Sequence, residues 1–144
     1  MGPEELFDKW LENGVQREKQ LDPRGVHLTV AEVLLGHSRG RADFSGDDLQ
    51  PATTHPVEPG EHKPGDQFAS WRLDPGMYLV RFNERLKGGA PPMLLVANEH
   101  LLSLGCALAA TVCAAGGLQS VLTVPSWGAS IKQNARIALL LPPG

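Results

Sequence analysis

The stretch Asn98-Glu99-His100-Leu101-Leu102-Ser103-Leu104-Gly105 opens the most apolar part of the chain. No charged side chain occurs from residue 101 to residue 131. The run contains Gly, Ser and Thr and is broken by Pro125, whereas a membrane-spanning helix needs about 20 predominantly apolar residues. We therefore expect this run to form core structure, with no membrane-spanning segment.

Length and composition bound the class of protein. The 144 residues, 42% hydrophobic and 20% charged, are enough for one compact domain over residues 1–144. A net charge of −3, without clustered Lys and Arg, predicts no nucleic-acid partner. The acidic N-terminus lacks the apolar segment of a signal peptide, and both cysteines, Cys106 and Cys113, lie in the apolar run. We expect a cytoplasmic protein with buried free thiols.

Short periodic segments predict mostly strands. A helical segment is expected within residues 1–19, with its apolar face at 4–11, and one helical turn at 101–104 is expected to end at Gly105. Frequent Gly and Pro predict loops and short edge strands over residues 36–70. The alternation that begins at Val26 is lost after Val30, which predicts either a bend or a helical turn over residues 31–35. Strands are predicted at 26–35, 67–72, 77–83, 93–97, 108–113, 119–124 and 136–141. The pattern favours an all-β barrel or sandwich, and Trp71 and Trp127 are interpreted as core residues.

Five segments carry motifs of a known family. They are Gln20-Leu-Asp-Pro-Arg-Gly-Val-His-Leu-Thr-Val30, Leu73-Asp-Pro-Gly-Met-Tyr78, the segment 92–105, the segment 112–117, and Gln133-Asn-Ala-Arg-Ile-Ala-Leu139. In order and spacing they resemble the dUTPase / dCTP deaminase superfamily, most closely its archaeal branch, over residues 20–141. The resemblance implies a distorted β-barrel of the β-clip type at 20–141, assembled as a homotrimer with active sites between subunits.

The resemblance also indicates where the family's functional groups would stand. Family members attack the α-phosphate of dUTP with water, using a carboxylate, Mg²⁺ and phosphate-binding Arg and Ser side chains. Their first-motif Asp falls on His27 and their catalytic Asp on Ala114, so both catalytic positions are degenerate. The nucleotide-cleft positions fall on Asn98, Glu99, His100, Gly117 and Arg136, of which Arg136 alone keeps the family residue, and the Gln of the last motif falls on Leu139.

These replacements predict a dUTPase-related trimer that has lost hydrolysis and binds a nucleotide or a protein in a regulatory role. We expect no cofactor and no metal site, and Mg²⁺ only if the family activity persists. A carboxylate at Glu99, roughly 4 Å from a phosphate oxygen, would repel it by about 4 kcal/mol at an effective dielectric of 20. One alternative is an active enzyme that converts dUTP to dUMP and pyrophosphate. Another is a new metal-dependent activity built from His27, Glu99, His100 and Cys113.

Overall fold

The computed structural model describes residues 1–60 and 62–144, and short antiparallel strands dominate it. The helices are α1 (Pro3–Glu5), α2 (Arg17–Gln20) and α3 (Glu99–Ser103), and Leu6–Trp10 continues α1 as a π-helical turn. The strands are β1 (Leu11–Glu12), β2 (Leu21–Asp22), β3 (Gly25–Ser38), β4 (Thr53–Pro56), β5 (Ser70–Leu73), β6 (Gly76–Leu86), β7 (Met93–Ala97), β8 (Ala107–Leu108), β9 (Thr111–Cys113), β10 (Gly116–Val124), β11 (Ala129–Lys132) and β12 (Arg136–Leu141). The predicted N-terminal and internal helices are confirmed, and α2 is an additional one. No helix in the described ranges is long and apolar enough to cross a membrane.

One curled sheet forms the body of the protein. Its strands follow the order β8-β10-β6-β3-β12-β7-β9, while β1 pairs with β6 and both β2 and β4 pair with β3. The two edge strands, β8 and β9, are separated in the chain by Ala109 and Ala110 alone. The sheet must therefore curl until its edges meet, which gives the distorted barrel expected from the sequence. Strands β5 and β11 form a separate two-stranded ribbon.

The long strand β3 links the two halves of the sheet. Its pairing with β6 shifts register between Val30 and Glu32, which identifies a β-bulge at the predicted bend. Before the bulge β3 pairs with β12, and after it with β6 and β4. An extra residue bends a strand and increases its twist without ending it. The chain therefore stays extended after Val30 and directs its two parts to different neighbours.

The uncharged run, which was predicted to form core structure, is only partly buried. Within the uncharged run, Leu101 and Leu122 are fully buried, whereas Val112 is 71% exposed. Strand β7 shows the same division, because Leu95 is buried and Leu94 is 39% exposed. Although β7 is apolar throughout, it is thus buried on one face only within one chain. A two-residue side-chain period buries every second residue, so the run supplies core from one face only.

The two tryptophans differ. Trp71 is 2% exposed and belongs to the core, as predicted. Trp127 is 74% exposed, so its interpretation as a core residue is wrong. Its indole N–H donates to the carbonyl of Leu104 at 3.1 Å, and its ring rests against Gly105. Gly105 has φ +78° and ends α3 as the sequence predicted.

Several strand boundaries also differ from the prediction. The strand expected at 67–72 begins at Ser70, the one expected at 108–113 is interrupted between β8 and β9, and β11 was not predicted. By contrast, β7 and β12 have the predicted bounds. Residue 61, within the predicted loop region, lies outside the described residues.

Candidate functional site

Asn98 occupies the position that the resemblance assigns to a phosphate-binding arginine, and its side chain points inward. It is 2% exposed. Its Oδ1 accepts the backbone N–H of Leu101 at 3.1 Å and caps α3, while Nδ2 donates to the carbonyl of Arg136 at 2.9 Å. Nδ2 also lies 3.1 Å from Nδ1 of His27. Both polar atoms of the Asn98 amide are therefore engaged in hydrogen bonds within the protein.

This network fixes the role of both nitrogens of His27. Because Oδ1 of Asn98 is held by the helix cap, its Nδ2 is the donor to His27, and Nδ1 of the imidazole is an acceptor. The proton then lies on Nε2, which is 3.0 Å from Oδ2 of Asp22 and donates to it. The ring is 9% exposed. Neither nitrogen is free to activate a water molecule.

Asp22, Arg24 and Glu99 form an ion network above this histidine. Arg24 binds Asp22 through Nε and Nη2, both at 2.9 Å, and contacts the carboxylate of Glu99 through Nη1. The hydrogen bonds from Arg24 hold the pKa of Asp22 well below its usual range and also lower the pKa of Glu99. Glu99 is thus an ion-paired carboxylate, so the repulsion estimated from the sequence for this carboxylate alone overstates its effect on a phosphate.

His100 and Arg136 complete the part of the predicted site that the chain does bring together. The imidazole of His100 stacks on that of His27 with centroids 6.3 Å apart and planes inclined by 8°. The guanidinium of Arg136 donates through Nη1 to the carbonyl of Lys19 at 2.6 Å. Four predicted positions, His27, Asn98, His100 and Arg136, therefore lie around the start of α3, with Glu99 at its exposed edge.

Ala114 and Gly117 lie elsewhere. Met93 pairs with Cys113, so Ala114 follows β9 near the start of β7, whereas Asn98 follows the end of that strand. Five extended residues span about 17 Å. Ala114 is exposed and carries no functional group, and Gly117 pairs with Arg85 on β6. Within one chain, the seven predicted positions thus form two separate groups.

The residues present do not fit the metal chemistry of the family. Mg²⁺ takes oxygen ligands in near-ideal octahedral geometry. The two carboxylates near His27, those of Asp22 and Glu99, are both bound to Arg24, and His27 itself offers nitrogen. For the alternative transition-metal site, Cys113 is at the far end of β7 from His27. Residues 1–60 and 62–144 contain no group of three or more His, Cys, Asp or Glu arranged to hold a metal ion.

A buried polar network beneath His27 was not predicted. Glu84 is fully buried and accepts the backbone N–H of Thr29 at 2.8 Å, the hydroxyl of Thr29 at 2.5 Å and Nε2 of Gln20 at 3.0 Å. Gln20 Nε2 also donates to the carbonyl of His27 at 2.8 Å. Burial raises the pKa of Glu84, and the hydrogen bonds from Thr29 oppose that shift. The sequence did hold a signal, because the inward alternation of Tyr78, Val80 and Phe82 continues to residue 84.

A cavity of about 560 Å³ opens between α3 and the segment 130–137. His100, Lys132 and Arg136 contribute basic groups to its wall, and the partly exposed Phe68 and Leu104 contribute apolar surface. Lys132 also pairs with Asp66 at 3.3 Å. No carboxylate or thiol is among the described lining residues. The wall suits an anion with an apolar body, and its described residues offer no carboxylate base.

Comparison with known proteins gives three archaeal relatives, each named "Probable deoxyuridine 5'-triphosphate nucleotidohydrolase". The Methanosarcina mazei protein is 33% identical over 141 residues, which cover 91% of this chain and 76% of the relative. The Methanosarcina acetivorans protein is 33% identical and the Methanosarcina barkeri protein 32% identical, each over 140 residues with the same coverage. The chain matches no protein-family model.

Proposed function

The chain belongs to the deoxyuridine 5′-triphosphate nucleotidohydrolase family, and from that premise we propose a member that has lost dUTP hydrolysis and serves a binding or regulatory role. The observation that carries the proposal is the inward orientation of Asn98. This side chain caps α3 and binds His27, so it is unavailable to a phosphate. The two positions next to it hold an ion-paired carboxylate and a stacked imidazole.

The expected loss of rate follows from these groups. Removal of a general base typically costs about 10²–10⁴-fold in rate, and Ala114 offers no substitute. Replacing a charged phosphate-binding group loses about 1.5–3 kcal/mol more, or roughly a further 10–100-fold. The carboxylates of Asp22 and Glu99 are bound to Arg24, so they offer Mg²⁺ no free oxygen ligands. The combined losses support absence of hydrolysis at ordinary enzyme rates.

The test is a pyrophosphate-release assay with dUTP and Mg²⁺, and the Methanosarcina mazei relative run in parallel as the positive control. We expect no release above the rate without protein, from protein whose circular dichroism spectrum is that of a folded β protein. Turnover of about 1 s⁻¹ or faster, which is ordinary for enzymes, would overturn the proposal.

Binding of a nucleotide without hydrolysis is favoured by the cavity beside α3. Lys132 and Arg136 can meet phosphate, while Phe68 and Leu104 offer surface to a base. A thermal-shift series with dUMP, dUDP and dUTP tests this, because a ligand at 100 times its dissociation constant adds about 2.7 kcal/mol to stability. The shift should shrink in Lys132→Met and persist in Lys63→Met. If none of the three nucleotides shifts the melting temperature, nucleotide binding is rejected and a protein is the remaining candidate ligand.

We also propose a homotrimer as the working assembly. Three apolar side chains, Leu94, Leu102 and Val112, are 39%, 59% and 71% exposed in the single chain. Contact between subunits would bury such side chains and remove them from water. Light scattering on the eluting protein should give a mass of about 47 kDa, three times the 15.5 kDa of one chain. A mass equal to that of one chain would reject the assembly.

A further inference from the structure

The structure assigns a second ligand site to the hairpin of β3 and β4, at residues that do not belong to the group around the start of α3. We propose that His37 and His55 together bind one first-row transition-metal cation, with Cu²⁺ the tightest. The two imidazole centroids are 4.2 Å apart and their planes are inclined by 56°. Both side chains are exposed. This site does not depend on the proposed function of the α3 region.

A β-bulge brings the two rings together. The register of β3 against β4 runs from Leu35 opposite His55 to Gly36 opposite Thr54, and then shifts so that Ser38 is opposite Thr53. His37 is the extra residue, and a bulge redirects the side chain that it carries. Leu35, opposite His55, is two residues before His37, so His37 is a diagonal neighbour of His55 on the sheet.

The hairpin is held beside the pair. The hydroxyl groups of Ser38 and Thr53 are 2.5 Å apart and hydrogen-bonded to each other across the two strands. This contact adjoins the bulge, so it limits how far the two strands can separate at that point. The imidazoles therefore project from a paired stretch of backbone rather than from a free loop. Less conformational entropy is then lost when a cation binds.

The spacing suits a shared cation. Zinc and related ions lie about 2.0–2.1 Å from each imidazole nitrogen, so two nitrogens that share one ion are no more than about 4 Å apart. The ring separation of 4.2 Å requires only rotation about the side-chain torsions to meet that limit. Imidazole suits Zn²⁺, Cu²⁺ and Ni²⁺ rather than Mg²⁺ or Ca²⁺. Water would supply the remaining ligands, which predicts an exchangeable site.

The choice of metal follows from the ligands. For a site of fixed nitrogen donors, affinity rises through Co²⁺ and Ni²⁺ to Cu²⁺ and falls again at Zn²⁺. The thiols of Cys106 and Cys113 are 3% and 7% exposed, and burial raises the pKa of both, so neither competes readily for a soft metal. We therefore expect the hairpin to be the first place that added Cu²⁺ occupies.

The experiment uses the full chain without a histidine tag, freed of metal by a chelator. Titration with Cu²⁺ should show one tight equivalent per chain, and its electron paramagnetic resonance spectrum should show coupling to two nitrogens. His37→Asn and His55→Asn should each weaken binding by about tenfold or more, because each removes one of two ligands. His62→Asn removes another exposed histidine and should leave the affinity unchanged.

The outcomes separate a built site from adventitious binding. Equal affinity in wild type and His37→Asn, or coupling to a single nitrogen, would overturn the proposal. So would a loss in His62→Asn as large as that in His55→Asn. Because the imidazoles are exposed, these substitutions should not unfold the protein, and the far-ultraviolet circular dichroism of each variant checks that. None of these results bears on whether the protein hydrolyses dUTP, so either proposal can be refuted without the other.

Discussion

Substitution of Asn98 by Ala should destabilise the protein by about 2–4 kcal/mol. Loss of the helix cap on Leu101 costs about 1 kcal/mol. The carbonyl of Arg136 and Nδ1 of His27 then lose a donor in a buried setting, at about 1–3 kcal/mol for such unpaired groups. For a chain of this length the sum corresponds to a fall of about 10 °C in melting temperature.

The measurement is urea unfolding followed by tryptophan fluorescence, at one protein concentration because an oligomer's stability depends on it. Asn98→Ser separates the two contributions to stability, because serine can still cap α3 but cannot donate to both His27 and Arg136. It should be about 1 kcal/mol more stable than Asn98→Ala. Gln119→Ala, an exposed residue on β10, is the matched control and should change stability by no more than about 0.5 kcal/mol.

A loss below about 0.5 kcal/mol in Asn98→Ala would refute the reasoning, because the amide could not then be engaged as described. A double-mutant cycle with His27→Ala sharpens the test. Two residues joined by a direct hydrogen bond should show a coupling energy of about 0.5–3 kcal/mol. Strict additivity would mean that Asn98 and His27 do not interact, and it would remove the main support for an inward amide.

Three further predictions concern ionisation and backbone strain. Arg24 lowers the pKa of Asp22, so the stabilising effect of the carboxylate is fully present above about pH 4. At pH 7 the free energy of unfolding of wild type should exceed that of Asp22→Asn by about 1–2 kcal/mol. This difference should shrink as the pH falls below about 4. Glu84 has a raised pKa because it is buried, so the sign is opposite, and wild type should lose stability relative to Glu84→Gln as the pH rises above about 4.3. Gly105→Ala should cost about 2 kcal/mol, because φ is +78° and the new Cβ would lie 2.4 Å from Cζ2 of Trp127.

Each of these has a contrary result. A wild-type advantage over Asp22→Asn that is constant from pH 3 to pH 7 would show that the native pKa is not lowered. If the free energies of unfolding of wild type and Glu84→Gln change in parallel across the same pH range, the pKa of Glu84 is not raised by burial. Gly36→Ala is the control for Gly105, since no heavy atom lies within 4 Å of its added Cβ. Equal stability of the two alanine variants would contradict the strain argument.

Local pattern in the sequence determined much of the secondary structure. The bounds of β7 and β12, the stop of α3 at Gly105 and the bend after Val30 followed from apolar runs, glycine and lost alternation. The barrel and the family followed from the order of five spaced motifs. The sequence also predicted which positions correspond to the family's catalytic groups, including His27 and Ala114, because a motif position depends on spacing along the chain and not on contacts.

Only the tertiary structure decided what those replacements do. Glu99 stands 75 residues from Arg24, and Asn98 stands 71 residues from His27. No local pattern could therefore show that the first two form an ion pair or that the second two are joined by a hydrogen bond. The burial of Glu84 required the strand to continue beyond its predicted end. The position of Trp127 on the surface, with its ring against Gly105 just after α3, is likewise set by segments that are distant in the sequence. In each case the deciding free energy comes from contacts between distant segments, and those exist only once the sheet has curled.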